Sequence, residues 1–390
     1  MRAAAVSIVC LAAVARVQAQ GPSLTIIEPT PGQPRSHITG LSGNGLAASG
    51  YSAVGGSATP QPGFHWTRAD GRNDFGLVLG QPTNTPSTAI SGDGLFVAGL
   101  AFNVGSADPT QIYRWSQAGG YQNIGTIPGW RFSQARAMNG DGSVLVGYVH
   151  NMAGTSASAF RWVSGAGFQD LGYLRPGSSL AQSVGVSRDG NVVVGISAPS
   201  VFGPIEAFRW TPQTGMVPVA PAIGSPFDET TARGVSGDGS VIVGYGNSPG
   251  TPSRPWRWTE ETGIEDLGLP SDATTGLLTL ANYNGSVAVG SMNFPGNQGV
   301  PYLWNENSGF TPLLDYFSDN GVVFPTGYSF FDVAGISDDG LTFGGVCAST
   351  DGTLPTRGWV ATVPAPAPLC ILLSALAYTR RSRPVIAIPR

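Results

Sequence analysis

The chain has 390 residues, 11% of them charged, and a formal net charge of -4. That balance excludes a nucleic-acid binder, which would carry a basic stripe. Gly 56 and Pro 31 are high for a globular chain, but aromatic and β-branched residues are plentiful enough to bury a core, so a disordered chain is excluded too.

The N-terminus comes first. Arg2, the apolar run Ala3 to Ala15 and the small-residue site Val17-Gln18-Ala19 predict a secretory signal peptide over 1–19. Cys10 is not in a lipobox, because Ser7 replaces the usual aliphatic residue. Cys10 leaves with the signal and Cys370 lies in the tail. Cys347 alone belongs to the folded body, so no disulfide framework is expected there. Next stands Leu24-Thr25-Ile26-Ile27, a strand with nothing of its own to pair with.

From here the chain repeats itself. Anchor glycines of an Asp-Gly or Asn-Gly turn fall at Gly45, Gly94, Gly142, Gly190, Gly239, Gly285 and Gly340. A second column keeps the same beat: Trp66, Trp115, Trp162, Trp210, Trp258, Trp304 and Trp359. Each repeat carries four strand signals. A short strand A leads into the turn. Strand B is a continuous apolar run, as in Val192-Val193-Val194, which suggests cover on both faces. Strand C ends in the tryptophan, and strand D follows a Gly-containing turn, as in Gly167-Phe168-Gln169-Asp170. No helix is expected before the tail.

Ser or Asn stands three before each anchor and Asp or Asn one before it. The residue between varies and includes Arg188, Tyr283 and Asp338, so it need not take positive φ. That favours a type I turn with a left-handed glycine bulge. Glycine recurs five after the anchor, at Gly50, Gly99, Gly147, Gly195, Gly244, Gly290 and Gly345. A glycine inside a strand implies close approach; the expected neighbour is a tryptophan of the adjoining repeat.

Seven four-stranded units read as an all-β fold, a seven-bladed β-propeller spanning 20–362. A right-handed β-helix and paired sandwiches are the rivals. The seventh unit ends after Trp359 without a strand D, so residues 23–28 are expected to pair there as its outermost strand and remove the open edges.

The phrase Ala159-Phe160-Arg161-Trp162, then Gly167-Phe168-Gln169-Asp170-Leu171-Gly172, then Ser187-Arg188-Asp189-Gly190, resembles the bacterial HAF-repeat family of extracellular proteins, over roughly residues 38–360. The His of that family's His-Ala-Phe is generally missing here. The resemblance implies export and a repeat fold, and no reaction.

The tail, 363–390, opens with Val363-Pro364-Ala365-Pro366. An apolar stretch, Ala367 to Tyr378, follows, and then Arg380, Arg381 and Arg383. This order resembles the PEP-CTERM sorting signal, with Ala365 in place of its Glu. The resemblance implies a short hydrophobic helix at roughly 368–380, membrane association before processing and cleavage by an exosortase-like protease. The arginines would stay cytoplasmic.

Chemistry is sparse. His37, His65 and His150 are the only histidines, and neither a zinc helix motif nor a nucleophile elbow is present. No catalytic residue, metal site or cofactor is assigned, since the turn aspartates are explained by turn formation. Arg161 with Asp170, and Arg257 with Asp266, are spaced to form cross-strand ion pairs. The face opposite the Asp-Gly turns carries the longer, more varied connections and is the expected binding face. The longest connection carries Tyr316, Phe317, Phe324 and Tyr328, whose rings could stack on sugars or a partner. These readings give an exported cell-surface or extracellular binding or structural module, with a surface glycan or exopolysaccharide as partner. The alternative is a secreted propeller enzyme acting on polysaccharide, of glycoside hydrolase or lyase type.

Overall fold

A computed structural model describes residues 21–54, 61–75, 84–102, 109–220, 225–349 and 355–365. The signal segment 1–19 and the tail helix expected at 368–380 lie outside the described residues. No helix among the described residues is long and apolar enough to cross a membrane.

The described chain is built almost wholly of antiparallel strands. Repeats one, two, five and six each form a four-stranded sheet in the order A-B-C-D. Repeats three and four form an eight-stranded sheet, but only the single parallel pair Ala157 and Leu180 joins their two meanders. In the last sheet the strand Ser23–Ile27 lies outermost, antiparallel to Arg357–Thr362, with Ser23 opposite Thr362 and Ile27 opposite Gly358. The expected closure is therefore present. Ile27 is buried with Ile38, Leu41, Phe64 and Trp66 of repeat one, so the N-terminal strand joins the last sheet to the first.

All seven anchor glycines are left-handed, with φ from 68° at Gly45 to 78° at Gly94. The serine of each Ser-x-Asp-Gly turn works on both sides of it. Ser91 Oγ donates to Asp93 Oδ1 at 2.5 Å and accepts from Phe96 N at 2.9 Å, tying turn to strand B. Asp93 Oδ1 also accepts from Leu95 N. The turn carboxylates are thus engaged by the turn itself.

The core lies between adjacent sheets. Val144, Val146 and Ala159 of repeat three pack with Val193, Phe208 and Trp210 of repeat four. The tryptophans of the repeat column are buried except Trp258, which is half-buried. In the first three repeats the residue before the tryptophan stitches its repeat to the next. His65 Nε2 meets Gly94 O at 2.8 Å, Arg114 Nη1 donates to Gly142 O at 2.7 Å, and Arg161 Nε donates to Gly190 O at 3.1 Å. Arg114 and Arg161 also lie over Trp162 and Trp210 of the following repeats.

Four expectations need correction. The strand-B glycines are not covered by a neighbouring repeat's tryptophan. A Cβ on Gly147 would run into the Gln134 carbonyl of its own strand A and the Phe160 ring of its own strand C. The carbonyl intrudes because each strand A bulges there, as between Ala135 and Ala137. In repeat seven, Gly345 pairs with Trp359 and Phe343 with Ala361. Trp359 therefore fills the ring slot that Phe64, Tyr113, Phe160 and Phe208 fill elsewhere, and Ala361 stands in the tryptophan column.

The ion pairs Arg161–Asp170 and Arg257–Asp266 do not form. Arg161 opposes Gln169 and Arg257 opposes Glu265, and a one-residue difference in register puts a side chain on the other face. Asp170 instead accepts from Ser158 Oγ at 2.8 Å, and Asp266 pairs with Arg254 at 3.1 Å. Finally, a helix does precede the tail, Leu313–Asp319. Pro312 starts it, and Leu313 and Phe317, one turn apart, are buried.

Candidate functional site

The strands A of all seven repeats line one central channel, with a narrow section of about 230 Å³ walled by Gly40, Ala89, Ala137, Gly185, Gly234, Ala281 and Gly335 among others. Its two ends differ in kind.

The end at the turns is closed. The middle turn residues are linked in a cycle of backbone hydrogen bonds. Asn44 N donates to Gly92 O, Asp93 N to Gly140 O, Gly140 N to Arg188 O, Arg188 N to Gly237 O, Asp238 N to Tyr283 O, Tyr283 N to Asp338 O, and Asp338 N back to Gly43 O at 2.7 Å. Across this ring lies the Arg188 side chain, donating from Nη2 at 2.7 Å and Nε at 2.9 Å to Asp338 Oδ1. The glycines leave room for it. A Cβ on Gly43 would fall 2.5 Å from Arg188 Nη2, and one on Gly237 3.0 Å from its Cγ.

The opposite end widens to a cavity of about 490 Å³. Its walls come from strand A positions six and eight before each anchor glycine, which are the positions that do not repeat. Arg136 and Arg233 occupy the sixth in repeats three and five. His37, Gln182 and Asp332 occupy the eighth in repeats one, four and seven. Tyr51, paired with His37 across strands A and B, adds a ring stacked on the imidazole at 4.9 Å and 11°.

Charge is laid out unevenly in this cavity. Arg136 Nη2 donates to Tyr148 Oη at 3.2 Å, and that hydroxyl donates to Gln134 Oε1 at 3.1 Å. The Arg233 side chain has neither a hydrogen bond nor an ion pair with any described residue. Asp332 is exposed to the channel, yet the surrounding wall raises its carboxyl above the usual range. Burial first, and then the charge of Arg35, lower the pKa of the His37 imidazole and so favour its neutral form. Two arginines therefore face one carboxyl group with no ion pair formed between them.

The aromatic residues singled out in the longest connection are placed elsewhere. Phe317 is fully buried, and Tyr316, Phe324 and Tyr328 are half-buried against the same core cluster as Trp359 and Phe343. Phe317 meets Trp359 edge to face at 5.7 Å and Phe324 meets it at 5.5 Å. They join repeats six and seven and do not line the channel. The sequence did carry a signal for the channel residues: within strand A, they are the unmatched positions of a matched repeat.

Comparison with solved structures decides the fold. The chain superposes on oligogalacturonate lyase from Vibrio parahaemolyticus with a TM-score of 0.56 and 12% identity, covering 89% of this chain and 98% of that one. It superposes on the β-propeller domain of the Trilobed protease from Pyrococcus furiosus with a TM-score of 0.55 and 9% identity, covering 84% and 95%. The fold is a β-propeller. Prolyl oligopeptidase B from Galerina marginata also matches, with a TM-score of 0.52 and 12% identity over 85% of this chain and 48% of that one, so this chain spans about half the protease's length. At these identities the propeller likeness carries architecture and not activity. No family model and no curated protein matches the sequence. Among the described residues no group of three or more His, Cys, Asp or Glu side chains converges.

Proposed function

We propose that the protein is an exported binding module, a seven-bladed propeller that engages a surface glycan or exopolysaccharide at the end of its channel remote from the turns. The observation that carries this reading is the contrast between the two ends. One is sealed by the turn cycle and by Arg188. The other presents non-repeating polar side chains on otherwise repetitive strands. Strands that repeat in their core-facing positions and vary where they line a cavity favour that cavity as the place of specificity. The seven repeats and the seven-member turn cycle support the blade count.

Export is supported by the signal-like segment 1–19, the likeness to HAF-repeat extracellular proteins and the PEP-CTERM-like tail at 363–390, where an exosortase-like protease would cut near Pro364. Mass spectrometry of exported material tests the tail. A terminus near Pro364 is expected, and an intact Arg390 overturns cleavage.

Binding is tested by probing an array of neutral and acidic oligosaccharides with the wild-type protein and with Val184→Trp, which fills the channel. Glycan signals that survive Val184→Trp unchanged would remove the channel from the reading. His37 and Asp332 line the same cavity, and that favours a second reading, an enzyme acting on polysaccharide. New reducing ends or unsaturated products from the glycans that bind would make it the better one.

A further inference from the structure

We propose that the channel cavity takes an acidic sugar, its carboxylate held between Arg136 and Arg233 and its hydroxyls turned toward Asp332 and Gln182. This rests on the reading that the cavity is the binding site.

The two arginines stand at equivalent strand A positions, both six before their anchor glycines, on repeats separated by a single repeat whose matching residue is the small, apolar Val184. Both therefore address the same volume from neighbouring parts of the wall. Guanidinium forks bind carboxylates through paired, charge-assisted hydrogen bonds. Arg136 is already aimed by the Tyr148 hydroxyl. The Arg233 side chain is not engaged by any described residue. A neutral sugar that displaced water from this cavity would leave that charge desolvated and without an anion, which is costly.

The rest of the wall argues for a polyhydroxylated anion over a bare one. Asp332, in repeat seven, stands on the far side of the ring from the two arginines. It would repel a second negative charge and accept a hydrogen bond from a hydroxyl. Gln182 both donates and accepts. The stacked His37–Tyr51 pair offers a flat apolar flank of the kind that sugar rings pack on. A cavity of about 490 Å³ is in the range for small ligands.

The probe is D-glucuronate, compared with D-glucose, which differs only in having a hydroxymethyl group in place of the carboxylate. Titration calorimetry on the wild-type protein should show binding of glucuronate and at least tenfold weaker binding of glucose. Arg233→Gln and Arg136→Gln should each weaken glucuronate at least tenfold, and Arg233→Lys should recover part of the loss. Unchanged melting temperatures would show that these channel-facing variants stay folded. Equal affinities for the two sugars, or no effect of Arg233→Gln, would overturn the proposal. So would complete displacement of glucuronate by equimolar acetate, since the site would then read charge alone. If neutral glycans bind and Val184→Trp abolishes their binding, the cavity remains the site and only the acidic ligand is wrong.

Discussion

Replacing Ile27 by Ala tests whether the N-terminal strand is part of the cooperative body or an appendage. Ile27 is 2% exposed, sits opposite Gly358, and packs into the cluster of repeat one. Its side chain therefore fastens the last sheet to the first. Truncating a buried Ile costs about 2–5 kcal/mol; a site on an outermost strand can relax, so about 3 kcal/mol is expected. A folded body of roughly 340 residues unfolds with about 0.7 kcal/mol per kelvin of entropy, which turns this into a drop of about 4 °C in melting temperature. Thr25, exposed on the same strand, is the control: Thr25→Ala should change stability by less than about 0.5 kcal/mol. Scanning calorimetry on the two variants and the wild type measures both. A single transition shifted by about 4 °C for Ile27→Ala alone is expected. A shift below about 1 °C, or equal shifts for the two variants, would refute the reasoning.

Three further outcomes are expected. Gly147→Ala should destabilise by about 1–3 kcal/mol in urea unfolding, because its Cβ would collide with the Gln134 carbonyl; a neutral result would mean that the strand A bulge moves freely. The Cys347 thiol, buried and pushed up to about 11 by that burial, should react with a disulfide reagent at pH 8 only after denaturant is added. Asp332, raised by its surroundings, holds its proton more tightly folded than unfolded, so stability should fall as pH rises from the ordinary carboxyl range through its raised value. Asp332→Asn should flatten that slope, with His37, Tyr51, Arg136 and Arg233 as the other charged or titratable groups around the cavity.

Much of the fold was legible because it is written seven times. The anchor glycines need a left-handed backbone, so Gly recurs and the turns could be placed. The closure by Ser23–Ile27 followed from a missing strand at one end and a spare one at the other. What escaped was set by register and by exception. Spacing alone put Asp170 beside Arg161, but the tight hairpin opposes it to Phe160. Trp359 kept the rhythm of its column while occupying the ring slot beside Gly345. The helix Leu313–Asp319 is too short to show a period, with Leu313 and Phe317 its only buried positions. Arg136, Arg233, His37 and Asp332 looked like noise because a repeat directs attention to what is constant.

The cycle of turn hydrogen bonds also limits how such a chain can evolve. An open array of repeats can gain or lose a unit cheaply, because each unit answers only to its neighbours. Here the bond from Asp338 N to Gly43 O returns to the starting point, so every turn is held from both sides and each must carry its share of a full circle. Losing or gaining one repeat would break this cycle, and the remaining turns would have to re-form it with a new angle between neighbours. Duplication and deletion, the common edits of repetitive genes, therefore cost this chain more than they cost an open array. Point changes at the channel positions carry no such cost, because no bond of the cycle depends on them: the frame is constrained while the lining of its channel is free to drift.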